Sequence, residues 1–188
     1  RSAPTRTQEA FTSVMQVFAS LHYHAWSSDI KNAFAQSRPT TRSTPIACAL
    51  PSGMREAGYP LHPEQLLKCQ TEVYGLILGP SWLRQSLVSD LEDLGYVRNY
   101  YDKCVMTLPV ESASTTGKVN DGVILIEVDD LLEGGSPRHR KLMEKFYTKY
   151  KCGKKKRLVD LKAEGTLISG IRVHQHQDFS FTWNMNEY

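Results

Sequence analysis

VILIEVDDLLEGG, residues 123–135, decides the fold. Val123 to Val128 is apolar and strand-like apart from Glu127, and LLEGG resumes that apolar character after an Asp pair. Adjacent aspartates make a poor strand, so the pattern predicts a tight hairpin with Asp129 and Asp130 at its tip. Asp is common in turns for local hydrogen-bonding reasons alone. Here, however, the flanks are apolar enough to be buried. Half-burying two like charges is costly unless a cation or a base neutralises them. A divalent metal is the usual answer.

A third carboxylate would complete such a site. Asp29 ends the short strand-like run HAWSSDI (residues 24–30), and KNAF follows, placing Phe34 five residues on. Carboxylates from two strands meeting at one end of a sheet form a hard, oxygen-rich site suited to Mg²⁺. Two such ions stabilise the attacking and leaving oxygens of phosphoryl transfer. Asp29, Asp129 and Asp130 are therefore the candidate metal ligands and catalytic groups.

Around this centre the helices are easily placed. Thr5 and Gln8 read as a capping box, followed by Phe11, Val14, Met15, Phe18 and Leu21 at helical spacing. A second helix begins near Pro80, carries Leu83, Leu87, Leu91 and Leu94, and stops at Gly95. A third takes Ser136 as its N-cap and Pro137 in its first turn, with Leu142, Phe146 and Tyr150 four residues apart. Strands fit at 25–30, 103–109, 123–128 and 166–173. Gln36 to Gly53, with three prolines, should run extended, and 111–120 reads as a surface loop. The expected fold is α+β: a mainly antiparallel sheet, covered on one face by the helices near 81–95 and 137–150.

The 188 residues can bury a real core, and 40% of them are hydrophobic, far above the disordered range. No stretch approaches the roughly 20 apolar residues of a membrane-spanning helix, and RSAPTRTQEA lacks the apolar core of a secretory signal. Cys48, Cys69, Cys104 and Cys152 match no zinc-knuckle or redox spacing, and no glycosylation sequon occurs. An intracellular, reducing compartment is the expectation, with four idle thiols. His22/His24 and His174/His176 share strand faces but lack a Cys or carboxylate at matching spacing.

The net charge of +3 hides an asymmetry. Ser136 to Arg157 holds ten Lys and Arg against one acid, Glu144, whereas the remainder is net acidic. Such a cation suits a polyanion, with Lys154, Lys155, Lys156 and Arg157 as phosphate contacts. Phe146, Tyr147 and Tyr150 would offer stacking rings. A solvated helix face is the bland alternative.

The order of these pieces resembles the reverse transcriptase of copia-type (Ty1/copia) retrotransposons. SSDIKNAFAQS is similar to the family's first catalytic block, and LPSGM to its Pro-Gly segment. VYGLILGPSWLRQSL resembles its Leu-Tyr-Gly-Leu block, and LGYVRNYYDKCVMTL the stretch after that helix. GVILIEVDDLLEGG resembles the paired-Asp hairpin and LISGIRV the later Phe-Leu-Gly-Ile strand. The resemblance runs from about residue 3 to the end of the sequence. It implies the palm of an RNA-directed DNA polymerase acting on an RNA or DNA template-primer with two Mg²⁺ ions. Asp29, Asp129 and Asp130 fall on the metal triad, and Phe34 on the aromatic that screens the 2′ position of the incoming sugar.

Three departures accompany it. Glu127 stands where the family has a nonacidic residue, commonly Tyr, and by strand alternation it shares a face with Asp129. Ile77 and Leu78 replace a Lys and a Gln, and such apolar side chains should face protein. The basic fingers strands upstream, and the connection and RNase H parts downstream, have no counterpart in residues 1–188, which read as one palm region. The alternative to a polymerase is a noncatalytic palm serving as a structural or binding subunit of a larger assembly.

Overall fold

The computed structural model describes residues 3–59, 62, 64–111, 120–161 and 165–184. Most of the loop expected at 111–120 lies outside the described residues.

The hairpin at the centre of the sequence is the centre of the fold. β6 (Asn120–Glu127) and β7 (Asp130–Gly135) are joined by Val128 and Asp129 alone, with Glu127 paired to Asp130 and Leu125 to Leu132. β5 (Val105–Pro109) flanks β6, and β4 (Val97–Arg98) flanks β5. On the other side β1 (Ala25–Asp29) pairs with β7, and β8 (Lys156–Arg157) closes that edge. The order β4-β5-β6-β7-β1-β8 is antiparallel throughout. Val128 adopts a φ of 56°, a left-handed conformation that is costly for a β-branched residue. Tight two-residue hairpins demand it, because their twist must match that of the strands.

Alternation along β6 and β7 divides the apolar side chains between two layers. Ile124, Ile126 and Leu131 pack against α3 (Gly79–Asp93) and α4 (Pro137–Lys149) through Leu83, Leu87, Met143 and Phe146. Val123, Leu125 and Leu132 face the other way, onto Phe11, Val14 and Phe18 of α1 (Gln8–Ser20). The sheet is thus covered on both faces, not on one. The second cover includes a hairpin, β9 (Thr166–Ile168) and β10 (Ile171–Gln175), where a single strand was expected. Ser169 and Gly170, both at positive φ, make its two-residue turn, and β11 (Phe181–Asn184) extends it.

The helix ends follow local chemistry. α1 is capped by Thr7 rather than Thr5, its hydroxyl accepting the Ala10 N–H at 3.1 Å. Ser136 caps α4 as expected, accepting from His139 N–H. Gly95, at φ 94°, ends α3 and lets the Tyr96 N–H reach the Leu91 carbonyl. The stretch 36–53 is extended only in part. It contains β2 (Ala47–Ala49) and the start of α2 (Ser52–Glu56), and β2 pairs with β3 (Leu66–Lys68) in a small separate arm.

A buried polar network anchors α4. His139 is held by Glu133 and by the Tyr96 hydroxyl, both at 2.8 Å, and Arg140 pairs with Glu133 at 2.7 Å. The ring needs space. Gly122 and Gly135 are directly opposed across β6 and β7, and a Cβ on Gly122 would lie 2.2 Å from the His139 ring. Gly122→Ala should therefore lower unfolding stability by about 2–3 kcal/mol through overpacking, measured by urea denaturation. An unchanged midpoint would show that the ring moves without penalty.

Candidate functional site

The register brings the expected carboxylates to one end of the sheet. Asp29 closes β1 directly opposite Asp130, the first residue of β7, and Asp130 is in turn opposite Glu127. Cross-strand partners share a face, so Asp29, Asp130 and Glu127 project from the α1 side of the sheet. Asp129 occupies the turn itself, and its carbonyl accepts the Ile30 N–H at 2.9 Å. The Asp29 carbonyl accepts the Gly153 N–H at 2.7 Å. Two independent strands thus fix the backbone beneath all three aspartates.

Their electrostatics follow from this crowding. Burial raises the Asp130 carboxyl to about 6, helped by the charges of Asp129, Asp29 and Glu127 in that order. Burial and Asp29 also raise Asp129, against a hydrogen bond to its own backbone. Glu127 adds to the crowding, as the sequence suggested, although Arg6 pairs with it. The Arg6 Nε donates to a Glu127 carboxylate oxygen at 2.8 Å, and its guanidinium lies 4.3 Å from the Phe11 ring centroid. Nothing around Arg6 in the sequence signals this role; the partners are 121 residues apart.

Hard carboxylate oxygens whose pKa values are raised by crowding suit a divalent cation, since such an ion relieves the repulsion. Among the described residues, no group of three or more His, Cys, Asp and Glu side chains is arranged to hold a metal ion. The aspartates are neighbours in register without being converged on a point.

Phe34 stands close by, in the short 3₁₀ turn Ala33–Gln36 that follows β1. It meets Tyr74 edge-on, with ring centroids 5.9 Å apart, and packs on Gly79. Phe34, Tyr74, Ile77, Pro80 and Val128 line an open cavity of about 420 Å³. Val128 precedes Asp129 in the hairpin turn, but Phe34 and Val128 pack against the α3/α4 core, the sheet face opposite to Asp29 and Asp130. Ile77 and Leu78 do not face protein as expected; they are 85% and 41% exposed. The turn before α3 holds their backbone outside the packed face, which begins at Gly79.

The basic segment runs beside the strand that carries Asp29. Lys156 pairs with Ser27 and Arg157 with Trp26 across β8 and β1. Lys154, Lys155 and Lys156 are exposed, while Arg157 lies 3.6 Å from Asp160. The cationic face is narrower than the composition implies. Arg138, Arg140 and Lys149 form ion pairs with Asp121, Glu133 and Asp90. Phe146 and Tyr150 are buried against each other and cannot stack on bases; α4 turns that stripe into the core. The histidine pairs make ring contacts instead, His22 and His24 with Phe179 and His174 with His176.

No protein-family profile matches this sequence, and no curated protein is significantly similar to it.

The raised Asp130 gives a signed pH dependence. Its folded constant, about 6, exceeds the ordinary 3.8, so the native state binds the proton more tightly. This contribution to stability is present below about pH 4 and is lost as pH rises through 6. Asp130→Asn should thus raise stability at pH 7 by on the order of 1–2 kcal/mol, with no gain at pH 3.5, measured by denaturant unfolding at both values. An equal effect at both would place the origin in packing.

Proposed function

We propose that this chain is the palm region of a copia-type reverse transcriptase, a site built for nucleotidyl transfer with two Mg²⁺ ions. The observation that carries the reading is the register of Asp29 against Asp130, with Asp129 in the adjoining two-residue turn. Three carboxylates at one sheet end suit a reaction whose transition state gathers negative charge on phosphate oxygens. When bound, the metal ions would supply electrostatic stabilisation of those oxygens. Asp29, Asp129 and Asp130 would hold them, and Phe34, on the cavity beside Val128, would screen the sugar. The exposed Lys154, Lys155 and Lys156 beside β1 suit a template-primer backbone.

A second reading has its own support. Ile77 and Leu78, 85% and 41% exposed, stand where a polymerase of this type carries Lys and Gln, and the exposed Tyr74 ring lies beside them. An apolar rim suits protein contact better than a triphosphate. In this reading the palm is a noncatalytic subunit of a larger assembly.

Primer extension tests whether residues 1–188 by themselves carry out the chemistry for which such a palm is built. Positioning supplies much of the rate of phosphoryl transfer, and apolar Ile77 and Leu78 offer no hydrogen bond to a nucleotide. Residues 1–188 should therefore give no detectable extension with Mg²⁺ or Mn²⁺ on RNA or DNA template. Extension abolished by Asp129→Asn would show instead a working polymerase. Binding is tested apart from chemistry. Lys154→Glu, Lys155→Glu and Lys156→Glu together should weaken template-primer binding and flatten its salt dependence. Binding unchanged by the triple reversal would make the run a solvated surface.

A further inference from the structure

The small arm between Phe34 and α3 contains a feature that the polymerase reading does not use. β2 and β3 pair with Cys48 opposite Leu67, and the Cys69 N–H continues the ladder by donating to the Ile46 carbonyl at 2.8 Å. Cross-strand partners share a face, and so do residues two apart on one strand. Cys48 and Cys69 therefore project from the same face of the arm, one diagonal step apart. They are close enough for the Cys69 thiol, raised first by burial, to be raised further by its interaction with Cys48. Cys48 is exposed and Cys69 partly so, whereas Cys104 is buried with its thiol on the Pro4 carbonyl.

We propose that Cys48 and Cys69 form a reversible, redox-sensitive disulfide that closes the β2–β3 arm. Diagonal neighbours in a ladder lie about 7–8 Å apart at Cα, and a disulfide needs about 5.5–6 Å. The difference falls on a two-stranded arm whose β2 residues are all exposed, with little packing to resist the shift. Below this point the arm is fastened. The Thr40 N–H donates to the Gln70 carbonyl at 2.9 Å, and Arg42 pairs with the buried Glu72. The bond would lock β2 to β3 just above that base, five residues before Tyr74 at the cavity rim.

The chemistry needs only a low-molecular-weight disulfide such as oxidised glutathione. The exposed Cys48 thiolate attacks one of its sulfurs, giving a mixed disulfide and releasing one glutathione thiolate. Cys69, as its thiolate, then attacks the Cys48 sulfur. That step forms the Cys48–Cys69 bond and expels the second glutathione. Two protein thiols are oxidised, one small disulfide is reduced to two thiols, and two protons pass to the leaving thiolates. A structural metal is the other use of paired cysteines, but among the described residues no third ligand accompanies them.

The test is to incubate the full chain with oxidised glutathione, alkylate, digest with trypsin and analyse the peptides without reduction. Cleavage after Arg42, Arg55, Lys68 and Arg84 separates peptide 43–55, holding Cys48, from 69–84, holding Cys69. The proposal predicts these two peptides joined by a bond that dithiothreitol breaks, with Cys104 and Cys152 alkylated. In Cys69→Ser, Cys48 should instead retain a single glutathione, because the resolving thiol is gone. The wild-type chain carrying separate glutathiones on Cys48 and Cys69, neither thiol reacting, or bonds made equally to Cys104 or Cys152 would each overturn it. None of these outcomes depends on polymerase activity.

Discussion

The two-residue link between β6 and β7 is the constraint on which the rest of the structure depends. With only Val128 and Asp129 available, Glu127 must oppose Asp130, and every later pair follows. A slip of one residue would send Leu125 and Leu132 to the wrong face and strip both cores of their central side chains. The same link sets the chemistry. It holds Asp129 outside the ladder and starts β7 on Asp130, where β1 delivers Asp29. The left-handed Val128 is the local cost of that geometry. Burial of Ile126 and Leu131 beside the turn overcomes it.

From this register the electrostatics of the sheet end can be read as one problem. Four carboxylates gather there, and among the described ion pairs Arg6 is the cation held against Glu127. The remaining repulsion appears as the raised Asp129 and Asp130. A purely structural turn gains nothing from such a cluster, since Asn would make the same turn without the charge. Under the proposed reading, a divalent cation would offset this repulsion.

How much of this was legible in the sequence depended on the range of the interaction. The hairpin, the α3 and α4 stripes and the Ser136 cap rest on periodicity and local hydrogen bonds and were legible. The turn, however, falls one residue early, on Val128 and Asp129, so that Asp130 opens β7 instead of sharing the tip. The Ser169–Gly170 turn was also local, but the apolar run around it masked it as one strand. Long-range pairing was not legible. Arg6 with Glu127, and the glycine pair that admits His139, join residues whose relation exists only after folding. The cationic run misled for a similar reason: its composition was plain, but the partners of Arg138, Arg140 and Lys149 lie on other elements. The diagonal placement of Cys48 and Cys69 likewise needed the β2–β3 register.

The central claim, that Asp29, Asp129 and Asp130 act as one cation site, is tested most directly by Mn²⁺ titration followed by electron paramagnetic resonance. Protein that binds the ion removes the six-line signal of free Mn²⁺. The account predicts that the wild-type chain suppresses this signal in a saturable way and that Asp29→Asn, Asp129→Asn and Asp130→Asn each restore most of it. Equal suppression by all four proteins, or none by the wild type, would contradict it.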